Sequence, residues 1–460
     1  MNKPLTNFQA RDLDALLHPY GNAVALRETG ALVIERGEGV YVYDQAGRPY
    51  IEALAGLWCC GLGFGNAELV EAARAQMERL PYYHLFAGRS HEPAVELAEK
   101  IKALSPGRMA RVFYQSSGSE ANDTQVKFAW YYNNALGRPK KKTIVSRTKG
   151  YHGVTIVAAS LTGLVNNHRD FDLPVPGIRH LATPHHWKGA AAGESEAAYA
   201  ERLAAEFAAL VEAEGPDTIA AFIAEPGMGA GGVIVPPKGY FEAMTRVCRA
   251  HDILMISDEV ICGFGRTGAW FGAQATGFEP SSMSIAKQVT GGFLPLSAVV
   301  MNQGMADVLE ANSGRIGTLG HGYTYGGHPV ACAVGVKALE IYERIDAPAR
   351  VRGLAPRFAA QLVRLAGHPL VGEARYLGLM GALELAPDRS PRGFAQPGKV
   401  GARLAQEMMD RGVIPRAIAD SVAFCPPMTI SEDEIDAIFE PAEAALDATM
   451  AWAKAEGHLG

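Results

Sequence analysis

The sequence predicts an α/β fold: a mostly parallel sheet flanked by helices, with a smaller α+β unit beside it. Two observations carry that expectation. From about residue 111 the chain alternates short apolar runs with amphipathic stretches: "RVFYQ" (111–115), a helix over 120–135, "TIVS" (143–146), a helix over 198–213, "IAAFIA" (219–224), a helix over 239–250 and "ILMIS" (253–257). Short apolar strands interleaved with helices are what a parallel sheet needs, because its crossovers cover both faces. Length is the second: 460 residues exceed one small core, so a large domain with a smaller one is expected.

The elements outside this alternation follow other patterns. "GVYVYDQAGRPYIEA" (39–53) alternates apolar and polar residues about a Gly-containing turn, which predicts a β-hairpin. Amphipathic helices are expected over 68–80 and 93–104. After about residue 330, "PVACAVGVKALEIYERI" predicts a long connecting helix, followed by weaker strands at 377–385 and 413–424. The hairpin has no parallel partner nearby. The expected division is therefore a large domain over 66–328 and a small domain built from both chain ends, 1–65 and 329–460.

Composition narrows the function. Hydrophobic residues make up 48% and charged residues 20% of the chain, a globular rather than a disordered balance. A net charge of −6 with mixed signs offers no basic stripe for a nucleic-acid backbone. The run Lys140-Lys141-Lys142 reads as a solvated loop. Cysteines at 59, 60, 248, 262, 332 and 425 form no CxxC pair, so neither a disulfide framework nor a zinc site is indicated and a reducing cytoplasm is expected. The N-terminal stretch lacks a signal-peptide core, and no window approaches the roughly 20 apolar residues that span a bilayer. "NDT" at Asn122 reads as a chance match to a glycosylation acceptor.

In open parallel sheets, ligands sit beyond the C-terminal ends of the strands. "RVFYQSSGSEAND" runs into a hydroxyl-rich turn, where Ser117, Gly118 and Ser119 at a helix N-terminus form either an anion cradle or a plain serine cap. "ILMISDEV" places Asp258 directly after a buried strand, where a carboxylate needs a partner. "SIAKQVTGGFLPLSAV" sets Lys287 at the end of an apolar run before two glycines; there a lysine either snorkels to water or supplies a desolvated amine. "KGYHG" leaves Tyr151 between glycines, as a core residue or an exposed ring face. Together the four supply an anchor, a carboxylate partner, an amine and an aromatic platform, which is what pyridoxal phosphate requires.

At this point the sequence resembles the class III, or ω-amino acid:pyruvate, aminotransferases of the fold-type I pyridoxal phosphate enzymes. The resemblance runs from "HPY" at 18 to "SEDEIDAI" at 431 through "GLWCCGLGFGN", "SSGSEANDT", "KGYHG", "AEPGMGAGG", "SDEVICGFGRTG", "AKQVTGGFLPLSAV" and "HGYTYGGHPVACA". It implies Lys287 as the amine that bonds the cofactor, Asp258 at the ring nitrogen, and Tyr151 and Val260 on the two ring faces. It also implies Ser117, Gly118 and Ser119 at the phosphate, with His152 and Glu225 completing the cofactor set. Thr324 of "HGYTY" would reach the phosphate of a neighbouring subunit, which implies a homodimer, possible pairing into tetramers left open. Trp58, Phe86 and Ala230 would shape the substrate pocket beside Tyr151. Arg416 of "VIPRAIAD" would swing in for a carboxylate, with Glu225 as its partner in the out position. The chain departs from many relatives in reading "PLSA" at 295–298 and "SSMS" before the lysine.

The implied activity is transfer of an amino group from a primary amine or ω-amino acid to pyruvate or a similar keto acid, in ping-pong fashion. Its partners would be small molecules only, with no nucleic acid and no membrane. An aminomutase or a decarboxylating transaminase would share the same lysine and aspartate, and a silent binding protein would be expected to lose one of them. "GFGRTG" (263–268) is a literal GxGxxG, but "AWFGAQATGFEP" after it does not read as a helix, which argues against a dinucleotide site. The adjacent His185 and His186 of "PHHW" read as surface loop residues rather than as metal ligands.

Overall fold

The structure, a computed structural model, describes residues 5–277 and 279–459; the first four residues of the N-terminal stretch and Phe278 of the "GFEP" segment lie outside the described residues. Fifteen strands are present among them: β1 (Ile34–Glu38), β2 (Tyr41–Asp44), β3 (Pro49–Glu52), β4 (Met109–Gln115), β5 (Thr143–Arg147), β6 (Ile178–Leu181), β7 (Ile219–Ala224), β8 (Leu254–Asp258), β9 (Ser282–Ile285), β10 (Ser297–Asn302), β11 (Val371–Leu377), β12 (Met380–Leu385), β13 (Val413–Ile414), β14 (Arg416–Ile418) and β15 (Ser421–Phe424).

Seven of them form the central sheet in the order β4-β10-β9-β8-β7-β5-β6. β9, β8, β7, β5 and β6 pair in parallel, and β10 is inserted antiparallel between β9 and β4. Every residue of β7 is buried. Because side chains alternate across a strand, Phe222 and Met255 pack one way, with the helices Glu196–Glu214 and Tyr240–Ala250. Ile223 and Ile256 pack the other way, with Val126 and Ala129 of the helix Gly118–Ala135. Each such fully buried apolar side chain contributes about 1.5–3 kcal/mol.

Two smaller sheets flank this one. The hairpin expected over 39–53 is β2–β3, to which β1 adds on one side. On the other side β13, more than 350 residues later in the chain, pairs in parallel with β3: Val413 stands opposite Ile51 and Ile414 opposite Glu52. β11, β12, β15 and β14 form an antiparallel sheet. The helix Pro329–Arg344 is the long connecting helix; His328 caps it and Pro329 opens it, where a missing N–H costs nothing.

Three local expectations are corrected. Lys141 is buried rather than solvated, its ammonium donating to the carbonyls of His251 and Asp252. His185 is buried as well, 2.7 Å from Glu373. "GAQAT" after the GxGxxG does form a short helix, Gly272–Thr276, with buried Glu259 accepting the N–H groups of Gly272 and Ala273. That carboxylate occupies the helix start where a dinucleotide fingerprint would present amides to a phosphate.

Candidate active site

The site is built at the C-terminal ends of five strands that share one direction. β4 ends at Gln115 and delivers Ser116–Ser119, β5 leads to Tyr151 and His152, and β7 ends just before Glu225. β8 ends on Asp258, and β9 runs through Ala286 into Lys287. All of these border one cavity of about 450 Å³, together with Asn122, Gly153, Val260, Ile261, Gly292 and Leu294–Leu296. That volume falls within the range of small-molecule and cofactor sites.

Lys287 opens a short 3-10 turn with φ of 50°, a left-handed conformation that a side-chain-bearing residue adopts only when its surroundings impose it. Gln288 supplies part of that constraint by donating to the carbonyls of Ile261 and Gly263. Burial pushes the Lys287 ammonium below its ordinary pKa, while the charges of Asp258, Cys59 and Glu225 oppose the shift. The result is a lysine poised toward its neutral, nucleophilic form.

Asp258 is held from three sides. Its Oδ1 accepts the Val260 N–H at 3.1 Å, and its Oδ2 accepts from Asn122 Nδ2 at 2.8 Å and lies 2.7 Å from His152 Nδ1. Asn122 Nδ2 is also 2.7 Å from the His152 carbonyl, so one amide ties β8 to the "KGYHG" turn. Glu225 accepts the N–H groups of Tyr151 (3.0 Å) and Gly229 (3.1 Å), and burial raises its pKa.

At the start of the helix Gly118–Ala135 both readings of the serine turn hold at once. Ser117 caps the helix by accepting the Glu120 N–H, and the Glu120 side chain takes the N–H groups of Ser116 and Ser117. Gly118 and Ser119 line the cavity, and their N–H groups, at the first turn of the helix, have no acceptor among the described residues, an arrangement suited to a phosphate. A methyl group on Gly118 would stand 3.2 Å from both methyls of Val260, so glycine keeps this wall open.

The other residues named from sequence lie at varying depth. Trp58, buried and with φ of 66°, packs in one cluster with Val233 and the cavity residue Ile261. Ala230 sits in the turn after Glu225. Phe86 does not border the Lys287 cavity; it lines a second one with His321, Gly322 and Tyr323. Thr324 adjoins that segment, its carbonyl accepting from Tyr82. Arg416 lies on β14, half-buried, and has no ion pair among the described residues; burial lowers its pKa, and Tyr151 and Tyr20 face it. With both oxygens of Glu225 engaged by backbone amides, Arg416 and Glu225 form no pair here.

The profile of the class III aminotransferases matches residues 23–446. The chain belongs to that family. This class III aminotransferase is thus a transferase of fold type I that uses pyridoxal phosphate and moves amino groups to keto acids. It is 44% identical over 436 residues to gamma-aminobutyrate transaminase 1, mitochondrial, of Oryza sativa subsp. japonica, covering 94% of this chain and 84% of that one. The solved omega transaminase of Pseudomonas jessenii in complex with PMP is 49% identical with a TM-score of 0.96, over 97% of this chain and 99% of that one. A thermostable omega transaminase variant engineered for asymmetric synthesis of enantiopure bulky amines matches at the same identity and TM-score, over 97% and 100%.

The residues present in this aminotransferase fit the cofactor. Two unpaired amides and an open glycine wall suit its phosphate, an organised carboxylate suits a ring nitrogen, and a desolvated lysine suits its aldehyde. Sequence reading missed Asn122, visible there only as a glycosylation pattern, and Tyr20, whose hydroxyl meets Tyr151 and accepts from Asn167 Nδ2 at 2.6 Å. Neither carries a local signal, because each acquires its role from a contact across the fold. Among the described residues no group of three or more His, Cys, Asp or Glu side chains could hold a metal, and no helix is long and apolar enough to cross a membrane.

Proposed function

We propose that this aminotransferase takes its amino group from primary amines bearing an apolar or aromatic substituent, or from ω-amino acids, and passes it to pyruvate or a similar keto acid. The observation that carries the reading is that Lys287 and Asp258 border one cavity, with the unpaired cation Arg416 beside Tyr151 of its lining. Bound there, pyridoxal phosphate supplies an aldehyde and an electron-accepting ring. Lys287 would hold it covalently and, once displaced by substrate, use its neutral amine to take a proton from the substrate carbon. Asp258 would accept the hydrogen bond of a protonated ring nitrogen, with Asn122 and His152 fixing its orientation. Ser117, Gly118 and Ser119 would hold the phosphate, and Tyr151 and Val260 would flank the ring. Trp58 and Ala230 would shape the apolar side, and Arg416 would bind the carboxylate of the keto acid.

Three further assignments belong to this proposal. The catalytic unit spans 66–328, and both chain ends, 1–65 and 329–460, make the smaller one; the β3–β13 pairing supports this. The protein is a cytoplasmic homodimer. Tyr82, Tyr83, Phe86 and Tyr325 are exposed beside Thr324, which supports a neighbouring subunit on that face, so that Phe86 and Thr324 would serve the partner's site. Sedimentation at micromolar concentration checks the assembly.

The test is the visible spectrum of the purified protein with pyridoxal phosphate, before and after addition of an aromatic primary amine and then of pyruvate. A yellow band that bleaches with the amine and returns with pyruvate is expected. Lys287→Ala should lose both the band and turnover while keeping the fold; transamination retained in that variant overturns the reading.

A further inference from the structure

Four of the six cysteines are buried, whereas Cys59 and Cys60 are partly accessible. The amino-transfer chemistry uses neither. They sit in an irregular segment in which Ala55, Gly56 and Trp58 have φ of 50°, 71° and 66°. That backbone turns both thiols to one side: a methyl group built on Gly56 would stand 3.2 Å from Cys60 Sγ and 3.7 Å from Cys59 Sγ. The two side chains also hydrogen-bond to each other.

The pair lies against the Lys287 cavity. A methyl group on Gly292, which lines that cavity, would meet Cys60 Sγ at 3.0 Å and Cys59 Cβ at 3.4 Å. The next residue, Gly61, packs closely on that turn: a methyl group there would be 2.5 Å from Gln288 Oε1 and 2.8 Å from the Tyr342 hydroxyl. Gln288 directly follows Lys287. Gly61 thus joins the Cys59–Cys60 peptide to the turn that holds the lysine.

We propose that Cys59 and Cys60 form a redox-sensitive dithiol that a low-molecular-weight disulfide, such as glutathione disulfide, closes to a vicinal disulfide, and that closure slows amino transfer. The two thiols are unequal in the way exchange requires. Hydrogen bonding from Cys60 brings the Cys59 thiol down to about 6 against the effect of burial, with Lys287 assisting, while Cys60 is pushed well up. Cys59 thiolate attacks one sulfur of the small disulfide and releases one thiol. Cys60 then gives up its proton and attacks the Cys59 sulfur of the mixed disulfide, releasing the second. Two protein thiols are oxidised, one external disulfide is reduced to two thiols, and the protons leave with them. Adjacent Cα atoms lie only about 3.8 Å apart, whereas disulfides favour roughly 4.4–6.8 Å, so the closed ring is strained and readily reduced again. That makes it reversible rather than structural.

The experiment treats the cofactor-loaded enzyme with excess glutathione disulfide and reads both mass and rate. Expected are a loss of two hydrogens on the tryptic peptide carrying both residues, a roughly tenfold fall in turnover, and recovery with dithiothreitol. Cys60→Ser should keep basal activity and resist the inactivation, and Cys59→Ser should lose the sensitivity to glutathione disulfide whatever its basal rate. A stable mixed disulfide at one cysteine, a bridge to Cys425, or unchanged turnover after ring closure would each overturn the proposal. A second readout needs no variant: one equivalent of phenylarsine oxide, which bridges paired thiols, should protect both cysteines from alkylation. Protection of one or neither overturns the convergence of the two sulfurs. Neither mass nor thiol count depends on the substrate assignment, so the two readings fail separately.

Discussion

Asn122 Nδ2 lies 2.8 Å from Asp258 Oδ2, joining residues 136 apart in sequence at the back of the cavity. The amide donates at the same time to the His152 carbonyl, so it orients both the carboxylate and the turn bearing Tyr151. A hydrogen bond to a charged group contributes about 1.5–3 kcal/mol. Asn122→Leu, which keeps the volume and removes the donor, should weaken cofactor affinity about ten- to hundredfold. Titration of the cofactor-free variant with pyridoxal phosphate measures it, and wild-type affinity would show that Asp258 is positioned without Asn122.

Gly118 and Val260 define the width of the cofactor wall. A Cβ at 118 would press to 3.2 Å on both Val260 methyls, and a β-branched side chain has few rotamers in which to yield. Gly118→Ala should therefore lower cofactor affinity on the order of tenfold, and adding Val260→Ala should recover most of the loss by opening the space. Equal affinities in the single and double variants would mean that the clash is not what glycine avoids.

The strands that carry the site were legible because their local pattern and their environment agree. "IAAFIA" and "ILMIS" are buried on both faces, and a continuous apolar run is how that burial is written in a sequence. β6 and β10 were missed: Ile178–Leu181 carries Arg179 and His180 at its centre, and β10 follows a glycine–proline stretch that reads as loop. The three-lysine run misled because its charge suggested solvent, while Lys141 finds two carbonyls contributed by the distant 251–252 turn. Lys287, Asp258 and Ser117 could be read from strand-end position; Asn122 and Tyr20 could not, since each depends on which elements meet.

Arg416 has no ion pair among the described residues, and burial makes its charge costly to leave unmatched. A carboxylate arriving with a keto acid would relieve that cost, whereas an apolar amine would not. Arg416→Leu should therefore raise KM for pyruvate by on the order of tenfold or more while leaving the half-reaction with an aromatic amine within about twofold. Single-turnover spectra of the two half-reactions separate these effects. Equal losses in both would assign Arg416 to the fold rather than to the acceptor.

Arg375 links the turn after Glu225 to the hairpin that bears Arg416. Its guanidinium donates to the carbonyls of Gly232 and Val233, to Glu373, to Glu384 and to Ser421 at the start of β15; Lys188 joins Glu384 from the other side. Burial alone would raise the Glu384 pKa, but the charges of Arg375 and Lys188 with the hydrogen bonds from Lys188 and Ser421 win and hold it at about 2. The folded value thus lies below the roughly 4.3 of an unfolded glutamate, so the stability this group contributes is complete above that value and is lost as pH falls toward 2. Glu373, lowered by His185 and Arg375 against its own burial, acts with the same sign. Glu384→Gln should cost about 1.5–3 kcal/mol at pH 7, because it leaves Lys188 without its carboxylate and Arg375 with Glu373 as its remaining counter-charge. Its deficit relative to wild type should shrink between pH 5 and pH 3, as the unfolded parent takes up a proton that the folded carboxylate does not bind until about pH 2. Urea unfolding across that window tests both parts: a deficit independent of pH would mean that packing, not the ionised carboxylate, is what Glu384 supplies.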